Sequence, residues 1–400
     1  MGSHEFIRFP PYELIPTASV VTMLGEIHAK IECIQQMPID PTERDRLRTL
    51  YLARAVHGST AIEGNTLSEA DVLHLLVEPT QSPQPKDYNE QEVRNVIAAI
   101  NEVVQELSSG DASFSVEKLN RYHSIVMRNI SSQNCDEHEI GAIRQRGVVV
   151  GRYGAAPAHE CPHLLGKLCD WLNEPAYTPS GHVQRYNIAW RVVKAIIAHM
   201  YFEWIHPYCD GNGRLGRLIE FKILYSAGIP DIACHLFSNF YNKQRTEYVG
   251  LLQDSHGDFI DGAYPAEANI RRFVEFALEG FLGELDKQRL EVHNSQITVI
   301  WHEFIHSRFP KRLTNTQQRR KQLALDLTHP RFQNNSAQIH EIRELSPALA
   351  VAYSSKTDRT IRNDLNALVD MQLLQRDVSG FKPNIHILMG FFGASTPAAE

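Results

Sequence analysis

The sequence predicts a mainly α-helical protein with one small β-hairpin in its middle and a winged helix-turn-helix module at its C-terminal end. Apolar residues recur at helical spacing through most of the chain. Three consecutive valines between glycines, within 147–151, give the strongest strand signal. The last hundred residues instead indicate two short helices followed by two short strands. Because 400 residues exceed what one hydrophobic core usually organises, we expect an N-terminal helical region over 1–110, a central region over 111–290 and a C-terminal module over 291–400.

Periodicity and end signals predict the individual elements. The first helix covers 17–36, and the second covers 41–62, where Asp40 before a proline marks its start. Ser68 caps a short third helix that ends near Leu76. Further helices are predicted at 89–107, 116–127, 162–172, 185–205, 214–227, 241–253 and 268–306. The C-terminal module has predicted helices at 347–353 and 358–373 and two strands within 375–388.

Composition excludes several classes of protein. Forty basic and 47 acidic residues give a net charge of −7, so no global positive field attracts nucleic acid or an anionic membrane. The most apolar stretch, 188–205, contains Arg191, Lys194, His199 and Glu203, which no bilayer-spanning helix would carry together. Six cysteines without CxxC spacing favour reduced thiols, and the N-terminus has no leader pattern, so we expect a cytoplasmic protein.

One glycine-rich segment, 206–217, combines the residue types of an anion site. Gly211 and Gly213 allow backbone N–H groups to turn inward, and the helix that follows presents its positive end to the same space. Arg214 and Arg217 are three residues apart on that helix, so both guanidinium groups can lean over one face and chelate phosphate oxygens. The segment therefore predicts a polyphosphate site.

Two further side chains give this segment its chemistry. Asp210 beside bound phosphate would be destabilised unless a cation lay between them, which predicts Mg²⁺ held by one carboxylate and phosphates. His206 is the residue of the segment whose ordinary titration range suits proton removal from a hydroxyl. We therefore expect a magnesium-bound nucleotide next to a general base.

The segment His-Pro-Tyr-Cys-Asp-Gly-Asn-Gly-Arg-Leu-Gly-Arg resembles the signature of the Fic family and departs from it only by Tyr208 in place of phenylalanine. The resemblance implies a helical Fic-type bundle that transfers AMP from ATP to a hydroxyl side chain of another protein. It implies that His206 is the general base and Asp210 the Mg²⁺ ligand. The implied phosphate-binding residues are Gly211, Asn212, Gly213, Arg214 and Arg217.

Two other stretches are similar to the same family, so the resemblance covers roughly 50–280. Gly141-x-x-Arg144 with the following valines resembles the flap that docks the target by strand addition. Ser59 to Gly64 resembles the inhibitory motif, which implies that Glu63 competes with the terminal phosphate of ATP for Arg217. The implied target-docking flap comprises Gly147, Val148, Val149, Val150 and Gly151. The valines also suit a plain edge strand that packs on the core.

Two rival motifs indicate other functions. His302-Glu-Phe-Ile-His306 is an HExxH pattern, but no third zinc ligand follows at a familiar spacing, and its intervening residues suit packing.

The second motif is the presumed recognition helix of the C-terminal module. The positive charge of Arg359 and Arg362 is nearly cancelled there by nearby aspartates, so few phosphate contacts are expected. A more basic run upstream comprises Lys311, Arg312, Arg319, Arg320 and Lys321.

Two hypotheses follow. In the first, the protein is an adenylyltransferase that uses ATP and Mg²⁺, modifies a serine, threonine or tyrosine of a target protein, and is autoinhibited by Glu63. In the second, it is a DNA-binding regulator with a nucleotide-sensing or de-AMPylating Fic core. DNA, another protein and a second copy of this chain all remain open as partners of the winged helix, and no membrane partner is expected.

Overall fold

The computed structural model describes residues 17–78, 85, 87–130, 132–151, 153–174, 187–256, 267–328 and 335–388. In these ranges the protein is mainly helical, as predicted. The helices of the first part are α1 (Ala18–Gln36), α2 (Pro41–Ile62), α3 (Glu69–Val77), α4 (Tyr88–Ser108), α5 (Val116–Val126), α6 (Cys161–Asn173), α7 (Asn187–Ile205), α8 (Asn212–Ser226), α9 (Leu236–Lys243) and α10 (Arg245–His256). They are followed by α11 (Glu267–Ser307), α12 (Asn315–Asp326), α13 (Pro347–Tyr353) and α14 (Asp358–Asp370).

Two antiparallel hairpins complete the fold. Strands β1 (Val149–Val150) and β2 (Tyr153–Gly154) pair with Val149 opposite Gly154, at the position predicted for the hairpin. Strands β3 (Leu374–Asp377) and β4 (Gly380–Pro383) pair around the predicted turn, but β4 is shorter than expected and gives way to a 3-10 turn. The chain divides into two compact units, 1–290 and 291–400.

Helix α7 lies at the centre of the first unit. Every side chain from 192 to 205 is buried, which is expected of a helix that is covered on all sides. It packs along α8, while α2 packs on α9 and α4 on α5. Two glycines permit these approaches: a Cβ on Gly58 would lie 2.5 Å from the Ser238 carbonyl oxygen, and one on Gly216 would lie 2.8 Å from His199 Nδ1.

Two sequence-based assignments are wrong in detail. The single helix predicted at 241–253 is two helices, α9 and α10, because the backbone leaves helical geometry at Gln244. Helix α12 was not predicted, since it is polar and buries only Leu323 and Ala324. None of the described helices is both long and apolar enough to cross a bilayer.

The second unit has its own apolar core and a buried charge. Its core includes Trp301, Ile305, Leu323, Leu349, Tyr353, Ile361, Leu365, Leu368 and Phe381. Arg319 Nε and Arg320 Nε each donate to Asp364, at 2.7 Å. These two arginines of the basic run therefore pair with a carboxylate of their own unit.

We predict that Asp364→Ala destabilises the C-terminal unit by about 3 kcal/mol, because it leaves two guanidinium groups without their buried partner. The measurement is urea unfolding followed by circular dichroism. Asp370→Ala, at an exposed position of the same helix, is the matched control and should change stability by less than about 0.5 kcal/mol. Equal stability of the two variants would contradict the buried role of Asp364.

Candidate functional site

The loop between α7 and α8 is fixed by its own side chains. His206, directly after α7, has a positive φ of 47°, and Gly211 has a φ of 76°. Asn212 at the start of α8 accepts from the Tyr208 N–H at 3.0 Å and donates to the Tyr208 carbonyl at 2.9 Å. The side-chain amide of Asn212 thus closes the loop through two hydrogen bonds to the Tyr208 backbone.

The tyrosine that departs from the family signature is fully accommodated. Its hydroxyl donates to Asn120 Oδ1 at 2.8 Å, and its ring stacks on His123 at a centroid distance of 4.0 Å. His123 accepts from the Gly141 N–H at 2.9 Å and lies 2.9 Å from the Asp210 carbonyl oxygen. Burial lowers the pKa of His123 to about 4, so the neutral ring donates to that carbonyl.

A cavity of about 390 Å³ opens beside this loop. It is lined by Glu63, Gln133, Asn134, Arg146, Val148, Val149, His206, Cys209, Asp210, Gly211, Asn212 and Gly213. His206, Asp210, the two glycines and part of the valine hairpin are therefore brought together around one space. Arg214 and Arg217 do not belong to its wall.

Arg214 instead faces the protein interior. Its Nη1 lies 2.6 Å from Glu92 Oε1, and its Nη2 lies 3.2 Å from Asp210 Oδ1. Asn65 donates to the other oxygen of Glu92 at 2.7 Å. Burial raises the pKa of the Glu92 carboxyl, while Arg214 opposes that rise. Arg214 thus contacts Asp210 from the side of the protein interior, and its role as a phosphate-binding residue stays a prediction.

Arg217 is bound by the end of α2. Its Nη2 donates to Glu63 Oε1 at 2.6 Å and to the Ser59 carbonyl at 2.8 Å, and its Nε donates to Ser59 Oγ at 3.0 Å. Burial acts to lower the pKa of Arg217, but the Glu63 carboxylate outweighs it and raises the pKa above its usual value. Among the described residues nothing accepts from its Nη1, so one donor of this guanidinium is unused.

Glycine at position 213 allows Glu63 to reach Arg217. A Cβ there would lie 2.4 Å from Glu63 Oε1 and 3.1 Å from Arg217 Nη1. Any side chain at this position would therefore collide with the Glu63–Arg217 pair.

A buried polar group lies behind His206. His206 Nδ1 is 3.4 Å from Glu203 Oε2, and His199 Nε2 is 2.8 Å from the Tyr248 hydroxyl. Burial alone would raise the pKa of Glu203, but His206 reverses the shift and the net pKa is lowered, so this carboxyl is ionised. Burial lowers the pKa of His199 to about 4 and raises that of Glu220 well above its usual value. The negative charge of this group is therefore concentrated on the carboxylate nearest His206.

The valine hairpin borders the cavity on another side. Val149 is 77% exposed, which leaves its strand open at the edge. Gly151 has a φ of 56°, and a Cβ there would collide with the Gln253 side chain. Gly147 has open space around it. An exposed edge suits strand addition better than the alternative of a strand packed on the core.

One cysteine of the loop is not a free thiol. Cys135 and Cys209 form a disulfide, so the expectation of six reduced cysteines is wrong at this pair. Cys135 closes a turn in which Ser132 Oγ donates to Asp210 Oδ2. Within the described ranges, the one group of three or more His, Cys, Asp and Glu side chains that lie close together is Cys135, Glu139 and Cys209, and the disulfide leaves its two sulfurs without the thiolates that a metal would need. The HExxH pattern forms no such group, and Trp301 and Ile305 of that helix are buried.

Sequence reasoning missed four residues of the site: Glu203, three positions before His206 on α7, and Glu92, His123 and Ser132. The last three lie far from the signature in the chain, on α4, on α5 and in the turn before the hairpin. Polar residues on the buried face of a predicted helix are the one signal that could have indicated Glu92 and His123.

Comparison with known proteins matches residues 113–224 to the Fic/DOC family. Protein adenylyltransferase fic-1 of Caenorhabditis elegans is 25% identical over 274 residues, which is 68% of this chain and 49% of the relative. Protein adenylyltransferase Fic of Drosophila willistoni is 27% identical over 224 residues, covering 55% of this chain and 38% of the relative. The chain thus spans about half or less of the length of these curated relatives.

Solved structures share the fold. A crystal structure of a Fic family protein from Desulfovibrio desulfuricans G20 has a TM-score of 0.54 and 24% identity, over 92% of this chain and 94% of that chain. A fragment of Fic-1 from Caenorhabditis elegans has a TM-score of 0.53 and 23% identity, over 70% and 74% of the two chains.

We predict that Glu92→Gln lowers the free energy of unfolding by about 3 kcal/mol, because it removes the buried carboxylate of the pair and leaves the buried Arg214 guanidinium only the longer contact with Asp210. Glu90→Gln is the matched control, since Glu90 pairs with the more accessible Arg94 on the same helix and should cost less than about 1 kcal/mol. Denaturant unfolding compares the two variants. A larger loss for Glu90→Gln would refute the importance of the Glu92 pair.

Proposed function

We propose that this chain, which contains a Fic domain, is a protein adenylyltransferase that transfers AMP from ATP to a serine, threonine or tyrosine hydroxyl of a target protein and releases diphosphate. The observation that carries the proposal is the loop 206–217, in which a histidine, an aspartate and two glycines face one cavity inside the region matched to the family. The similarity to curated adenylyltransferases supports the same reaction.

In the proposed reaction, His206 removes the proton of the target hydroxyl as its oxygen attacks the α-phosphorus and the bond to the β-phosphate oxygen breaks. The Glu203 carboxylate, 3.4 Å from His206 Nδ1, favours the imidazolium that forms. The N–H groups of Asn212 and Gly213 at the start of α8 face the phosphates, where the helix end favours negative charge. The Gly211 N–H donates to Asp210 Oδ1, so we propose that Gly211 serves the phosphates through its left-handed turn. These residues hold the phosphates and move one proton.

Asp210 is the residue we assign to Mg²⁺. Its carboxylate borders the cavity, and its neighbours Arg214 and Ser132 are donors that hold it in one orientation. A single oriented carboxylate with substrate phosphates is a common Mg²⁺ site. When bound, Mg²⁺ would neutralise polyphosphate charge.

The target is proposed to dock along the exposed edge of β1, from Gly147 to Gly151, by adding a strand. We propose that the C-terminal unit is a winged helix-turn-helix module that influences which protein is modified. Two helices followed by an antiparallel hairpin support this assignment. The inward pairing of Arg319 and Arg320 gives no support to a DNA-binding role. The three-region division at 110 and 290, a second copy as partner and a cytoplasmic location stay predictions.

We further propose that Glu63 restrains the enzyme. The same Arg217 that Glu63 occupies would meet the terminal phosphate of ATP, and the two cannot both have it. While Glu63 holds Arg217, the phosphates are displaced and in-line attack fails. Restraint is relieved when Glu63 withdraws.

The general base is tested by replacing His206. We predict that His206→Ala reduces label transfer from α-labelled ATP to a target protein by about 100-fold or more, because proton removal is lost. ATP affinity, measured by calorimetry, should stay nearly unchanged. His159→Ala, a replacement of an exposed histidine, is the control and should retain full activity. Activity of His206→Ala within about tenfold of wild type would overturn the assignment.

Restraint is tested by replacing Glu63. We predict that Glu63→Gly raises the initial rate of AMP incorporation at least about tenfold, which corresponds to roughly 1.4 kcal/mol of barrier. Adding Arg217→Ala should remove the gain, because the freed arginine is used productively. Glu69→Ala breaks the nearby surface pair with Arg54 and should leave the rate unchanged. No rise in Glu63→Gly at saturating ATP and Mg²⁺ would show that Glu63 is an ordinary helix-end residue.

A further inference from the structure

Arg144 is a buried arginine whose guanidinium is used entirely by the backbone. The residue is 1% exposed. Its Nε donates to the His206 carbonyl at 2.7 Å, and its Nη1 donates to the Arg146 carbonyl at 2.6 Å. Its Nη2 donates to the Ala156 carbonyl at 2.5 Å and reaches the Ile205 carbonyl at 3.3 Å. One planar guanidinium thus donates hydrogen bonds to four carbonyl oxygens from two segments of the chain.

Two of these carbonyls lie at the end of α7, where the last turn leaves acceptors without helical partners. The His206 backbone there has a φ of 47°, a left-handed conformation that costs energy for a residue with a Cβ. Such a conformation persists only where its surroundings enforce it. The Nε bond to the His206 carbonyl acts directly on the residue that is strained.

The other two carbonyls are those of Arg146 and Ala156, which lie on either side of the hairpin of β1 and β2 that contains the flap. Both ends of the hairpin segment are also hydrogen-bonded to the backbone at the end of α7. The Arg144 N–H donates to the Pro207 carbonyl at 3.0 Å, and the Ala156 N–H donates to the Trp204 carbonyl at 3.2 Å. The Arg144 side chain spans the space between these two backbone bonds. The Arg144 side chain therefore contacts both the backbone of His206 and the backbone on either side of the hairpin.

We propose that Arg144 is a positioning residue for transfer: it holds His206 in its left-handed conformation and fixes the flap at a set distance from it. A target strand added to β1 then presents its hydroxyl within reach of the imidazole. This inference rests on the proposed function for its catalytic consequence. The anchoring itself concerns only the backbone at 204–207 and the flap.

A lysine at position 144 would not reproduce the hydrogen bonds of Arg144. Its ammonium is a single centre with three donors and cannot reach acceptors on both segments, whereas the planar guanidinium presents donors in several fixed directions. A misplacement of reacting groups by about 1 Å can cost about 100-fold in rate. Nucleotide binding depends on the opposite end of the loop, near Gly211, and should change little.

The first arm of the test measures catalysis in the full chain. Arg144→Lys and Arg144→Ala should lower kcat for target modification at least about tenfold, with ATP affinity within about twofold of wild type. Guanidinium ion, added at non-denaturing concentration, should restore part of the kcat of Arg144→Ala and none of that of His206→Ala. A kcat for both variants within about threefold of wild type would overturn the proposal, and so would a loss of ATP affinity equal to the loss of kcat.

Lys194→Met is the matched control. Lys194 is also a buried cation that caps carbonyls, those of Leu172 and Glu174, but it lies outside the site. Its replacement should lower the melting temperature and leave kcat unchanged. A fall in kcat equal to that of the Arg144 variants would show that any loss of a buried cation has this effect and would overturn the positioning role.

The second arm does not depend on activity. Amide hydrogen exchange in the folded Arg144→Lys protein should accelerate in two segments together, 204–207 and 148–155, while α4 and α5 keep their protection. Unchanged exchange in both segments would overturn the proposal even if transfer is confirmed. Accelerated exchange in a protein whose wild type transfers no AMP would support the anchor and refute the proposed function.

Discussion

The close packing of α7 on α8 at Gly216 is the constraint on which the site depends. Because the residue has no side chain, His199 and Glu203 of α7 can lie directly over the backbone of α8. The connection between the two helices is therefore short, and His206 at its beginning and Gly213 at its end face the same cavity. A larger residue at 216 would push α7 and α8 apart and so separate His206 from the turn at Gly211 and Gly213.

The two buried arginines of α8 are neutralised by carboxylates that differ in their exposure to solvent. Arg214 is neutralised by Glu92, which comes from α4 and is itself fixed by Asn65. Arg217 is neutralised by Glu63, which is partly exposed and borders the cavity. The first pair is enclosed and suits a permanent structural role. In the second pair the carboxylate reaches solvent, so this pair meets the geometric requirement of the proposed exchange of Glu63 for a phosphate.

The surroundings of the loop hold its unusual backbone in place. His123 binds the Asp210 carbonyl, the Cys135–Cys209 disulfide fastens the neighbouring turn, and Asn212 closes the loop from within. Together these contacts compensate for the two left-handed residues, His206 and Gly211. The loop is thus preorganised, as the proposed transfer reaction would require.

The sequence by itself determined the elements with local signals and the motif with local spacing. Asp40 before proline predicted the start of α2, and the valines predicted the hairpin, because capping and strand propensity depend on a few neighbouring residues. The glycines and charged residues of 206–217 predicted an anion site for the same reason. Only the tertiary structure decided that Arg214 turns toward Glu92, that Arg319 and Arg320 turn toward Asp364, and that Cys209 meets Cys135. Each of those pairings joins residues that are 44 to 122 positions apart in the chain, and the direction of a charged side chain follows from the nearest buried opposite charge, which no local pattern encodes.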